Sequence, residues 1–218
     1  MPGTPPLGPA ALFRVRLRAP SRARRAIPLL LAIAAAAALA APPAGAQTSA
    51  ACASASERVG AGPAASAAAA VACLVNAKRA ARGLVAVQPA SALELSARRH
   101  AADMVARRYF AHVSPSRGTV DKRARRAGYL TGPCWVLGED LGWAPPAVAT
   151  AEAVVAAWMA SPKHRAVILD PSFRDIGIGL VQRAPAGEGA TFVLELGAVT
   201  RCGSSGASGP PRARIRVS

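Results

Sequence analysis

From residue 64 onward the chain carries two kinds of periodicity. In AASAAAAVACLVNAKRAARG, Val71, Leu74 and Val75 recur at helical spacing, and Gly83 supplies a stop. VAVQP reads as a short extended connector. SALELSARRHAADMVARRYF returns to helical spacing through Leu93, Ala97, Ala101, Met104 and Val105, with Ser91 as the expected N-cap and arginines on the opposite face. AHVSPSRG reads as a loop, and TVDKRARRAG as a short basic helix ending near Gly128. TAEAVVAAWMAS reads as a helix capped by Thr150, with Val154, Val155 and Trp158 facing inward. SPKHRAVIL starts another helix, with Ser161 as N-cap and Pro162 in the first turn.

The strand signals differ. CWVLGEDLGW reads as extended chain with a turn at Gly-Glu-Asp, and FRDIGIGLVQR and ATFVLELGAVT as two strands joined by APAGEG. Gly177 and Gly179 alternate in the first of these, which predicts a close approach by a neighbouring backbone. Helices come first, and strands with helices between them follow. That order is not the βαβ alternation of a doubly wound sheet. It predicts an α+β fold, a three-layer α-β-α sandwich with a small, mainly antiparallel sheet.

The flanks change the picture. Six arginines precede the apolar run IPLLLAIAAAAALA and a small-residue segment ending at Ala46, the pattern of a signal peptide over residues 1–46. An uncleaved anchor is the alternative, although the run is short for a membrane span. Residues 47–66 read as a flexible arm and residues 203–218 as a disordered basic tail. The formal charge is +16, and cleavage would leave about +10 on a chain of roughly 172 residues, the size of one domain. Few aromatics and an export signal argue against nucleic acid as partner. An anionic cell-envelope polymer or lipid headgroups suit the charge better. Cys52, Cys73, Cys134 and Cys202 all follow the expected cleavage site, which predicts two disulfides in a secreted chain. Three connectivities are open. The preferred one is Cys52–Cys73, stapling the arm to a helix, with Cys134–Cys202 tying a mid-chain strand to the last. No C-x-x-C pair argues for metal binding by these thiols.

Three segments carry candidate chemistry: YFAHVSP with His112, GEDLGW with Glu139, and WMASPKHRAVIL with His164. Together with LVNAKRAARGL, HAADMVARRYFAHVSP and AWMASPKHRAVILDPSFRDIGIGL, they make the chain resemble a bacterial secreted member of the CAP superfamily, the cysteine-rich secretory, antigen 5 and pathogenesis-related proteins. The resemblance spans about Cys73 to Cys202, within a domain placed at 67–202. It implies the α-β-α sandwich and a cleft where two histidines and acidic residues converge, with His112, Glu139 and His164 in three of those places. The second cleft glutamate of fuller members falls at Ser161, so it is missing, and Glu152 lies too far along the helix to replace it. Asp140 stands where the family usually has Asn and adds a carboxylate beside Glu139.

Two imidazoles and a carboxylate form a plausible zinc set with a position left for water. The alternative is a hydrogen-bonded cluster that braces the cleft. No activated nucleophile is evident, and Ser161 is better explained as a cap. The expected function is therefore a secreted, monomeric binding module, with no membrane span after cleavage, holding a lipid or other envelope-associated ligand. The alternatives are a zinc-dependent hydrolase of peptide or wall polymer, and a non-catalytic envelope interaction protein. His100 reads as a boundary residue, Trp158 as core, Trp135 as a possible groove residue, and Trp143, before Pro145-Pro146, as the best candidate for an exposed contact. Asp170 before Pro171 reads as a turn former, and Arg165 as a partner for Asp140 or Asp170 or as a solvated charge.

Overall fold

A computed structural model describes residues 52–200, Cys202 and residues 213–218. The signal peptide expected over 1–46 lies outside the described residues. The helices are α1 (Ala64–Ala80), α2 (Ser91–Arg107), α3 (Val120–Arg126), α4 (Ala151–Ala160) and α5 (Pro162–Ile168). The strands are β1 (Gln88–Pro89), β2 (Cys134–Ala144), β3 (Asp175–Val181), β4 (Ala190–Thr200) and β5 (Ala213–Val217). They form one sheet in the order β1-β3-β4-β2-β5. The inner pairings, β3 with β4 and β4 with β2, are antiparallel, and the outer strands β1 and β5 add in parallel. The sheet is therefore mixed.

Strand alternation sorts the side chains between two helical layers. Val136 and Ala144 of β2 and Phe192, Leu194, Leu196 and Ala198 of β4 share a core with residues of α1, α4 and α5. Trp135, Leu137 and Leu141 of β2 and Val193 of β4 face the other way, onto α2 and α3. The alternating glycines of β3 let α2 sit directly on the sheet. A Cβ at Gly177 would collide with the backbone at Leu93 and Glu94, and one at Gly179 with the carbonyl of Ala97.

Several expectations need correction. β2 runs unbroken through Glu139 and Asp140, because its ladder with β4 continues from Cys134 opposite Thr200 to Ala144 opposite Ala190. Gly138 and Gly142 make room for Phe173 and Val167 and for Trp158 and Val154, not for a turn. Residues 213–217 of the expected disordered tail form β5, while 203–212 lie outside the described residues. The arm is not free where it is described. Ala53–Ser56 is a 3-10 turn, Cys52 bonds Cys73, and the Val59 N–H donates to the Ala149 carbonyl at 2.7 Å. The second disulfide joins Cys134 to Cys202, so both preferred pairings are present.

Thr150 caps α4, accepting from the Ala153 N–H at 3.0 Å. Ala90, not Ser91, is the N-cap of α2. Ser161 occupies the N-cap position of α5 but makes no side-chain cap bond. Its main chain serves both neighbours: the N–H donates to Ala157 of α4, and the carbonyl accepts from Arg165 of α5. Among the described residues, no helix is long and apolar enough to cross a membrane.

Gly179→Ala is expected to cost about 3 kcal/mol, because α2 must lift off the sheet. Gly132→Ala, whose added Cβ would meet nothing within 4 Å, is expected to be nearly neutral. Urea unfolding with the disulfides intact measures both.

Candidate functional site

The site is built where β2 and β4 turn a carboxylate each toward α2 and α3. Glu139 and Glu195 are direct cross-strand partners, and both are fully buried. Such a pair requires a cation, and α3 supplies one. Val120, Arg123 and Ala124 form the buried stripe of this short helix, so Arg123 points inward with only 4% of its surface exposed. Its Nη2 donates to Glu139 Oε2, and its Nη1 donates to the carbonyls of His112, at 2.7 Å, and Gly118, at 2.8 Å. Glu195 accepts from Ser96 Oγ at 2.9 Å. Burial, and then the charge of Glu139, push the Glu195 carboxyl well above its ordinary range.

His112 completes the cluster. Its Nδ1–H donates to Glu139 Oε1 at 2.8 Å and its Nε2–H to the main-chain oxygen of Ser218 at 2.6 Å. Both partners accept only, so the ring carries both protons. Burial opposes that charge, but the Glu139 carboxylate and the Ser218 oxygen raise the His112 pKa above its ordinary value.

A second cluster holds the loop that carries His112. Asp103 accepts from Tyr109 Oη at 2.6 Å, Ser114 Oγ at 2.7 Å, Ser116 Oγ at 3.2 Å and Arg107 Nε at 3.0 Å. Burial opposes its charge, yet these donors hold its pKa down at about 2. His100 lies deeper than the boundary position expected of it. It is fully buried, and its Nε2–H donates to the Ala111 carbonyl at 3.0 Å. Burial takes its pKa down to about 4, so it is neutral.

Asp140 does not stand beside Glu139. Period-two alternation sends it to the opposite face of the sheet. It is fully buried, accepts from Ser218 Oγ through Oδ1, and leaves Oδ2 without a partner. Burial pushes its pKa up to about 8. A protonated Asp140 thus presents the neutral polar group that the usual Asn would. His164, on α5, hydrogen-bonds to neither His112 nor Glu139, and its buried Nδ1 has no partner. Burial, and then the charge of His112, lower its pKa. Asp170 is a turn former, accepting from the Ser172 N–H at 2.8 Å, and also binds Arg214 and Arg216. Arg165 donates to the Met159 carbonyl rather than to either aspartate.

The structure therefore joins His112 to Glu139 and leaves His164 nearby but separate. A catalytic zinc takes three protein ligands and a water. Here both oxygens of Glu139 are engaged and His112 donates through both ring nitrogens, leaving His164 as the one uncommitted member. Among the described residues, no group of three or more His, Cys, Asp or Glu is arranged to hold a metal ion. The three residues do not fit a zinc site in this arrangement.

Arg123→Met should cost about 3–5 kcal/mol, since it strands buried carboxylate charge. Adding Glu139→Gln should recover at least about 1 kcal/mol of that, as a double-mutant cycle by urea unfolding would show. Asp140→Asn should stabilise the fold. The folded-state carboxyl titrates near 8 and the unfolded one near 3.8, so wild type loses stability as pH rises between those values. The gain should be below about 1 kcal/mol at pH 4 and reach about 4 kcal/mol at pH 7, measurable as thermal unfolding against pH.

Comparisons with known proteins agree with this geometry. Residues 73–195 match the family described as the cysteine-rich secretory protein family, CAP. The Bacillus subtilis (strain 168) protein YkwD, itself uncharacterized, is 38% identical over 111 residues, covering 50% of this chain and 40% of that protein. The chain thus matches less than half the length of this relative. The fold resembles that of an extracellular protein containing a SCP domain from Bacillus anthracis, with a TM-score of 0.51 and 20% identity over 63% of this chain and 44% of that one. The matched stretch takes in α2, His112, Glu139, His164 and most of the sheet, and on it the chain belongs to the CAP, or cysteine-rich secretory protein, family.

Proposed function

We propose that this protein is an exported binding module for an anionic amphiphile of the cell envelope, held in a groove beside the His112–Glu139 cluster. The observation that carries this reading is the groove itself. It has a volume of about 810 Å³ and is walled by Val105, Arg108, Tyr109, Phe110, Trp143 and Arg183, among others. Trp143 is 52% exposed and Phe110 43%, a costly way to leave large apolar side chains unless something covers them. Trp143 lies near the end of β2. Arg108 and Arg183 make no ion pair among the described residues. Aromatic surface next to uncommitted guanidinium groups suits an apolar chain with an anionic head.

The wall is rigidly held. Arg108 ends α2 in the left-handed region at φ 56°, a conformation that bulky residues avoid. That turn sends Tyr109 back to Asp103 and leaves Phe110 facing out. Two residues further on, His112 fastens the same loop to Glu139. On this reading the chemistry of the cluster is bracing, and hydrolysis has no support from the donor set. Two disulfides suit an oxidising compartment and export.

The full chain should bind vesicles containing phosphatidylglycerol more tightly than neutral phosphatidylcholine vesicles. Trp143→Ala/Phe110→Ala should weaken binding at least tenfold, from the loss of about 1.5–3 kcal/mol of burial per aromatic. Co-sedimentation measures this. Binding unchanged in the double variant would overturn the proposal.

A further inference from the structure

Segment 213–218 sits in the molecule as a ligand would. It adds in parallel along the edge of β2, from Ala213 opposite Trp135 to Val217 opposite Glu139. Its alternate residues Arg214, Arg216 and Ser218 share one face, and that face is read by the protein. Arg214 Nη2 reaches Asp170 Oδ2 at 3.0 Å and Ser172 Oγ at 2.7 Å. Arg216 Nε reaches the same Asp170 oxygen at 2.6 Å. Ser218 donates its hydroxyl to Asp140 and accepts from His112 Nε2 with its main-chain oxygen. The opposite face contributes Ile215 and Val217, exposed at 41% and 49%. Side chains on one face are specified while those on the other are left to solvent. Main-chain pairing for affinity with alternate side chains for selectivity is how proteins bind extended peptides by strand addition.

We propose that the edge of β2, with Asp170, Ser172, Asp140 and His112, is a binding site for an extended peptide of the form Arg-x-Arg-x-Ser, held in cis by residues 213–218. The site is separate from the aromatic groove, so it stands or falls independently of the amphiphile reading. Tethering favours the internal occupant. Cys202 is bonded to Cys134, next to the point where Ala213 pairs with Trp135, and ten residues connect the two. A short tether holds a segment at an effective concentration on the order of millimolar. For near-complete occupancy in cis, the same peptide in trans must bind an emptied site with a Kd on the order of 10 μM.

The test uses the full oxidised chain and a fluorescein-labelled Ala-Arg-Ile-Arg-Val-Ser peptide, read by fluorescence anisotropy. Arg214→Glu/Arg216→Glu should unseat the internal segment without touching the core, and hydrogen exchange at the β2 edge should then speed up. That variant should bind the peptide about 100-fold more tightly than wild type. Adding Asp170→Asn should weaken binding at least tenfold, and so should raising the salt. No peptide binding by the variant, equal binding by variant and wild type, or insensitivity to Asp170→Asn would each overturn the proposal. A wild-type dimer in sedimentation that the arginine variant dissolves would overturn occupancy in cis.

Discussion

The contact between Arg123 and Glu139 is the constraint around which the rest of the site is arranged. A carboxylate buried in the middle of a sheet is tolerable only if a cation is buried with it. Arg123 meets that need through Nη2 and, with Nη1, fixes the carbonyls of His112 and Gly118. Glu139 in turn holds the His112 ring. One ion pair thus sets the position of α3, the loop before it and the histidine. Glu195, across the ladder from Glu139, makes no ion pair among the described residues, and its carboxyl is pushed well above its ordinary range.

From this pair the account reaches outward in both directions. On one side, the loop from Arg108 to His112 is held by Asp103, His100 and Glu139, and it places Phe110 opposite Trp143 in the groove. On the other, the His112 ring donates to the main-chain oxygen of Ser218, just past β5, and the Ser218 hydroxyl donates to Asp140 on the far face. His112 thus anchors the loop that carries Phe110 of the proposed amphiphile groove and also contacts the proposed peptide edge, although different residues line the two.

Much of this was legible in the sequence. The helical stripes of α1, α2 and α4 and the glycine alternation of β3 were readable from local periodicity, and His112 and Glu139 from their motifs, while the disulfide pairing was a preference among three open connectivities. Arg123 was not. RARRAG offers several cations on one short helix, and only the phase of α3 against β2 selects the one that turns inward. Glu195 could have been found, because FVLELG places it on the face shared by Val193 and Gly197. The same period-two argument would have put Asp140 on the opposite face from Glu139. β5 went unread because ARIRV alternates like a strand but is flanked by Gly, Ser and Pro and dominated by charge. Its order depends on Asp170 and Asp140, residues far away in the chain.

The most direct test of the brace is nitrogen-15 NMR of the His112 ring in the full oxidised chain at pH 6.5, where an unperturbed histidine is half neutral. The account predicts an imidazolium, with both ring nitrogens protonated and predominantly one charge state. Glu139→Gln should return the ring toward ordinary titration. A neutral ring with one bare nitrogen in the wild-type protein would contradict the account and would leave His112 free to act as a metal ligand or a base.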